Sequence, residues 1–227
     1  MAQQGTLEVV GKHPGGMGFV RWNDPASYLG QKKPEELTYA DVEGTPFWMD
    51  HWNPAYLILH NNGSVRLQQV KLNIYTGQIH YIDSAGHELV ADASQVPRLI
   101  LMKEKDTSVV LASFEAYPSL YDGARLFYYR VLGEGEKFRL MEFQQSFVKK
   151  SDYDPLQGKK ESRFFIKRQY VIAEYAYMHP LTSLDHDNIM QELEWKKDDD
   201  QWLRDHRNKL RSESEVVEFL DHLNKKQ

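Results

Sequence analysis

Val65-Arg66-Leu67-Gln68-Gln69-Val70-Lys71-Leu72-Asn73-Ile74-Tyr75, followed by Thr76-Gly77 and then Gln78-Ile79-His80-Tyr81-Ile82, is the stretch on which the fold turns. Val70, Leu72 and Ile74 recur at every second residue, the period at which an extended chain places side chains on one face. Thr76-Gly77 supplies a turn, and Ser84-Ala85-Gly86 supplies another beyond Ile82. The stretch therefore predicts successive antiparallel strands, a meander.

The same rhythm extends in both directions. Upstream, Ala55 to His60 is a short apolar run closed by Asn61-Asn62-Gly63-Ser64, a hairpin signal because Asn and Gly tolerate positive φ. Downstream, strands are predicted over Val96–Lys103, Val109–Ala116 and Arg125–Leu132, the last running into the tight turn Gly133-Glu134-Gly135. Phe138 to Val148 carries Met141, Phe143 and Phe147 on one face. After a loop at 151–161, Ser162 to Tyr177 is partly apolar on both faces, which predicts a strand that is central or covered on both sides.

His179-Pro180 is expected to stop the strand series, and the period beyond it shifts toward helix. Thr182 and Ser183 are candidate N-caps for a helix over Leu184 to Trp195, and Asp198-Asp199-Asp200 opens a second through Trp202, Leu203 and Leu210. Ser212-x-x-Glu215 has the capping-box form and precedes Val216, Val217, Leu220 and Leu223 at helical spacing. Residues 1–54 hold five of the nine prolines and seven of the fourteen glycines, too many for regular structure. They also hold Phe19, Trp22, Tyr28, Tyr39, Phe47, Trp48 and Trp52, too many large apolar groups for a solvated linker. After one early strand at Thr6 to Val10, this segment is expected to lie over a sheet face or edge.

The expected fold is mainly β (α+β): an antiparallel meander forming a sandwich or partly open barrel, with a C-terminal appendage of two to three short helices. Its expected parts are an irregular N-terminal segment packed on the body (1–54), an antiparallel β body (55–180) and a helical appendage (181–227), together one compact unit.

Composition narrows the functional classes. The net charge of −5 gives no electrostatic footprint for a nucleic-acid backbone. No apolar run approaches the roughly 20 residues that span a bilayer as a helix. With no cysteine there is no disulfide, thiolate nucleophile or cysteine-ligated zinc.

Several motif fragments fail on spacing or context. His87-Glu88-Leu89-Val90-Ala91 begins like HExxH but has Ala91 where the second metal ligand belongs, and it lies in a turn-and-strand pattern. Ser146-x-x-Lys149 falls in a strand, where residues three apart face opposite ways. Gly15-Gly16-Met17-Gly18 lacks the order of a phosphate-binding loop. Asp185-His186-Asp187-Asn188, with His179 upstream, gathers oxygen and nitrogen ligands without metal spacing, and acidic residues suit a helix start for dipole reasons alone. No catalytic residue, metal site or cofactor is assigned.

Two clusters are binding candidates. Trp48, Asp50, His51 and Trp52 put stacking surface, a titratable group and an acceptor in one loop; alternatively the tryptophans anchor the N-terminal segment on the sheet. Lys149, Lys150, Lys159, Lys160 and Arg163 form a basic patch in a stretch that holds only three acidic residues against seven basic ones. It suits an anionic headgroup, glycan or partner surface, or else a solvated hairpin tip whose lysines discourage strand pairing.

From Phe47 to Leu101 the features stand in a fixed order: a Trp-bearing entry, a strand ending in Asn-Gly, Val70-Lys71-Leu72-Asn73-Ile74-Tyr75, Gln78 to Asp83, and Val96-Pro97-Arg98-Leu99-Ile100-Leu101. With Phe127-Tyr128-Tyr129-Arg130-Val131-Leu132 and the helical tail at Leu203 to Leu223, this order resembles the signal-peptide-bearing cell-envelope proteins of unknown function that are numerous in Bacteroidota. Residues 11–46 have no counterpart in that resemblance, and no catalytic residue carries over from it. It implies a periplasmic or outer-envelope location, with Met1-Ala2-Gln3-Gln4 read as a start placed on a chain whose signal peptide is removed; the alternative is an ordinary cytoplasmic start.

The resulting expectation is a non-enzymatic envelope protein that binds another protein or an envelope polymer. Two alternatives stand beside it. One is a hydrolase or metal-dependent enzyme whose distant His and carboxylate residues, with His51 and His186 as first candidates, meet only on folding. The other is a small-molecule carrier with a β-barrel pocket.

Overall fold

The structure, a computed structural model, describes residues 8–10, 20–21, 42–61, 63–150, 162–175, 177–194, 201–206 and 210–225. The chain is mainly β: among the described residues 54% are in strands and 15% in helices. The sheet is mixed rather than purely antiparallel and is not closed into a barrel. Two compact units divide the chain: residues 1–128 with 144–167, and residues 129–143 with 168–227.

In the first unit the described strands begin with β1 (Glu8–Val10), β2 (Val20–Arg21) and β3 (Val42–Glu43). They continue with β4 (Asn53–Ile58), β5 (Ser64–Asn73), β6 (Gln78–Ile82), β7 (Glu88–Asp92), β8 (Arg98–Lys103) and β9 (Asp106–Pro118). Hydrogen bonding orders them β9-β8-β4-β5-β6-β7-β2, with β1 joined to β5. The 65–82 stretch folds as its alternation predicts: Val70 lies opposite Tyr81 and Leu72 opposite Ile79, and all four are buried in the core. That core gathers Leu57, Val65, Leu67, Leu99, Leu101 and Phe114 around them. Of the early segment, β1 and β2 pair with the meander, and β3 pairs in parallel with a later strand, Ser162 opposite Val42. The remainder of the expected irregular segment, up to residue 41, lies outside the described residues.

The β5–β6 turn depends on Gly77. Its φ is +75°, and a Cβ there would meet the Leu126 carbonyl oxygen at 2.8 Å and the Phe127 ring at 3.2 Å. Gly77→Ala is expected to cost about 2 kcal/mol, combining a left-handed backbone with a contact to main chain that cannot move aside. Chemical denaturation measures this, and an unchanged midpoint would contradict it.

The second unit is built from parts of β10 (Leu126–Gly133), β11 (Phe138–Lys150) and β12 (Ser162–Glu174), each of which runs from one unit into the other, with β13 (Tyr177–Leu181) and three helices. The helices are α1 (His186–Glu192), α2 (Gln201–His206) and α3 (Glu213–Lys225). Its core joins Phe138, Leu140, Ile172 and Leu181 from the strands to Ile189, Leu210, Val216, Phe219, Leu220 and Leu223.

Two sequence expectations change here. The chain does not run as one strand to Tyr177: Tyr175, at φ 50°, turns it, and β13 folds back on β12 with Val171 opposite Pro180. Pro180 therefore sits inside a strand. This is tolerated because β13 is last in the strand order, so an absent N–H on its outer side breaks no ladder bond. β12 is a central strand, between β11 and β13, and it is buried on both faces at Val171, Ile172 and Ala173, while Arg163 and the run from Phe165 to Arg168 are exposed.

The N-cap of α1 is Asp185 rather than Thr182 or Ser183. Its carboxylate accepts the Asn188 N–H at 2.9 Å and the Ser183 hydroxyl, and these bonds, the Ser183 one foremost, hold it below the usual carboxylate range. The capping box forms as written in the sequence: Glu215 Oε2 accepts the Ser212 N–H at 3.1 Å, and Ser212 Oγ accepts the Glu215 N–H at 3.4 Å. Asp198-Asp199-Asp200 lies outside the described residues.

Tyr170, on β12, donates its hydroxyl to Glu213 Oε1 at 2.7 Å, which fastens the start of α3 to the strand. That bond, then burial, raises the phenol from 10.0 to about 12. A raised folded-state pKa means that the stabilisation is fully present below the ordinary phenol range and is lost as pH rises toward 12. An alkaline titration monitored by phenolate absorbance and helical circular dichroism should show this step, and Tyr170→Phe should remove it. Persistence of the step in Tyr170→Phe would contradict the assignment.

Candidate functional site

The loop Trp48–Trp52 connects the Phe47 bridge, which pairs with Asn73, to β4. Trp48 donates its backbone N–H to the Leu72 carbonyl at 2.8 Å and sets its ring edge-on to Phe114, with centroids 5.1 Å apart, against the first core. Trp52 instead covers Lys71, whose Nζ lies 4.7 Å from its ring centroid and 5.1 Å from that of Phe47. Lys71 and Leu72 are consecutive in a strand and point to opposite faces. The two tryptophans are thus committed to opposite sides of β5 and do not combine into one stacking platform. Asp50 and His51 are exposed, and the His51 carbonyl accepts a bond from Asn53 Nδ2 at 3.2 Å.

Beside this loop lies a buried polar group that the sequence does not single out. His80 is fully buried; its Nδ1 stands 2.8 Å from Glu88 Oε1 and its Nε2 stands 3.3 Å from Asn73 Nδ2. The Asn73 side-chain oxygen accepts the Tyr75 and Thr76 N–H groups, which turns its amide nitrogen toward the imidazole. His80 Nε2 then accepts, and Nδ1 carries the hydrogen donated to Glu88. With both ring nitrogens engaged and the ring buried, the group links β5, β6 and β7. His87, the other half of the broken HExxH fragment, is exposed and bonds Asp83. The Asp83 carboxyl is held low, first by the His87 backbone N–H and also by that of Ala85. No sequence signal marks the Glu88–His80 contact, because a bond between strands depends on register.

Where β11 and β12 belong to the first unit, a different surface forms. Tyr121 projects from the β9–β10 turn, in which Ser119 Oγ accepts the Tyr121 and Asp122 N–H groups and donates to Gln145 Oε1. The turn is thereby tied to β11. Phe147 of β11 meets Tyr121 edge-on at 5.6 Å and stacks on Phe165 of β12 at 5.5 Å and 25°. Lys167 Nζ stands 5.2 Å from the Tyr121 ring centroid and 5.1 Å from that of Phe147. Alternation along β12 puts Arg163, Phe165 and Lys167 on one face, and along β11 puts Phe147 and Lys149 together. Tyr121 is 45% exposed and Phe165 37%, and Lys149, Arg163 and Lys167 are exposed.

Lys149 and Arg163 stand on the exposed strand ends and Lys150 closes β11, whereas Lys159 and Lys160 lie outside the described residues. Charge excess counts Lys167 among its seven basic residues but misses the ring row. The signal was legible in principle, since Phe147, Phe165 and Lys167 share the two-residue phase of Lys149 and Arg163. No family model matches the chain, and no curated protein or solved structure matches it significantly.

Among the remaining candidates, Ser146 is buried while Lys149 is exposed, as opposite strand faces require. His186 Nδ1 lies 3.1 Å from Asp187 Oδ1 in the second unit. Among the described residues no three His, Asp or Glu side chains come together as a metal-ligand set. No described helix is long and apolar enough to cross a membrane.

Proposed function

We propose that the protein is a non-enzymatic cell-envelope binding protein whose working surface is the ring-and-cation row of the first unit, and that its partner is an envelope polymer. The observation that carries the reading is the cluster of rings in which Phe147 stacks on the exposed Phe165 and meets the exposed Tyr121 edge-on, with Lys167 over Tyr121 and Phe147. Leaving a large aromatic ring half in water forgoes about 1–2 kcal/mol of burial, so a clustered group of such rings on a folded surface is a binding signature. Aromatic side chains also concentrate binding energy at interfaces, because they offer large rigid contact area with few rotors to freeze. The resemblance to envelope proteins supports the location. The overall charge of −5 disfavours nucleic acid as the polymer.

The reading is tested by co-sedimentation of the intact protein with protein-depleted, insoluble bacterial envelope material. The Phe165→Ser, Lys167→Ser double variant should be retained about tenfold less, the equivalent of losing one good stacking contact or more. Equal retention of wild type and variant, or no retention of either, would contradict it. A folded-state control is built in, because both positions are exposed and their substitution removes no core contact.

A further inference from the structure

We infer that the polymer bound by the ring-and-cation row is an acidic polysaccharide, one whose repeating sugars carry carboxylates; this rests on the row being a polymer-binding surface, as proposed above. Two features of the row point the same way. Tyr121 and Phe165 are the exposed rings, standing on either side of the partly buried Phe147, which stacks on Phe165 at 25° and meets Tyr121 edge-on. A pyranose has an apolar face of C–H groups that packs on an exposed aromatic ring, and a polymer offers such faces repeatedly to Tyr121 and Phe165. The cations are distributed along the rings rather than set apart from them. Lys167 Nζ stands over two rings, and Arg163 and Lys149 continue on the same strand faces.

A ligand that satisfies both features needs apolar faces and negative charges alternating at the scale of one residue, and uronic-acid chains have that pattern. Arg163 offers a planar pair of donors to a carboxylate, and the lysines act as point charges. The nearest carboxylate in the β9–β10 turn, Asp122, is turned toward its own loop, accepting the Ala124 N–H at 3.2 Å. The row therefore faces the ligand with positive charge on an otherwise acidic protein, a local charge complementarity that a neutral glycan does not use.

The test measures binding of the intact protein to polygalacturonate by affinity electrophoresis and calorimetry, with dextran as the neutral polymer and phosphatidylglycerol vesicles as the anionic lipid surface. Polygalacturonate should bind, dextran should bind at least about tenfold more weakly, and added salt should weaken the acidic polymer selectively. Phe165→Ser and Lys167→Gln should each weaken polygalacturonate binding about tenfold. Ile166→Ser, at an exposed position on the opposite face of β12, should leave it unchanged. Equal affinity for dextran overturns the acidic assignment. Binding to vesicles but not polygalacturonate, lost in the same variants, overturns the carbohydrate assignment and leaves the ring row standing as the binding surface. Polygalacturonate binding that neither variant alters overturns the site. Failure of all three probes together with unaltered envelope retention removes both this inference and the reading beneath it.

Discussion

Replacing Asn224 with leucine lowers the stability of the folded chain by about 3 kcal/mol. Asn224 lies near the end of α3, where its side-chain oxygen accepts the N–H groups of Lys137 at 3.1 Å and Phe138 at 2.8 Å, and its nitrogen donates to the Phe138 carbonyl at 2.9 Å. One amide thus satisfies three main-chain groups at the entry to β11 and fastens the helix to the β10–β11 turn. Leucine has similar volume and none of these bonds, so partly buried donors and an acceptor lose their partner together. Gly135 makes the approach possible, since a Cβ there would overlap Asn224 Nδ2 and the Phe138 oxygen. Asn224→Asp retains the two accepted bonds and forfeits the donated one, so its loss should fall between wild type and the leucine variant. Chemical denaturation that ranks the three otherwise would contradict this role.

Phe114→Ala should cost about 4 kcal/mol, the ordinary penalty for deleting a fully enclosed aromatic ring with incomplete collapse around the cavity. Phe114 is only 2% exposed, lies opposite Leu99 across the β8–β9 pair and receives the edge of Trp48. Trp48→Ala should cost less, because that ring is only partly buried. The two losses should fall short of additivity by about 1 kcal/mol, the value of an edge-to-face aromatic pair. Additive losses in a double-mutant cycle would show that Trp48 does not hold the loop to the core through this ring.

How much of the fold is legible in the sequence depends on the range of the interactions involved. Val70, Leu72 and Ile74 announce their strand because period two and one buried face are local properties, and Ser212 with Glu215 announces α3 because a capping box closes within four residues. The turn at Tyr175 is not announced, since neither Glu174 nor Tyr175 is a habitual turn residue and the apolar alternation runs on through it. Pro180 misleads for a related reason: whether proline ends a strand depends on whether its N–H side faces a neighbour, which is a fact of strand order. Parallel pairing of β3 with β12 joins residues about 120 positions apart, beyond any local pattern.

The candidate site divides in the same manner. Lys149 and Arg163 stand out as a charge excess, a property of composition alone. Their connection to Phe147, Phe165 and Tyr121 needs the side-by-side placement of β11 and β12 and the Ser119–Gln145 bond that fixes the turn. Trp48 and Trp52 look like one cluster because they are four residues apart, and the structure sends them to opposite faces of β5. His80, Glu88 and Asn73 look unrelated in sequence and form one buried hydrogen-bonded group.

Hydrogen–deuterium exchange on the intact protein, with and without polygalacturonate, tests most directly where the chain works. Slowed exchange is expected at 119–126, 145–149 and 163–167, with residues 47–53 unchanged. Protection confined to 47–53, with the ring row exchanging as before, would place binding on the tryptophan loop and contradict this expectation.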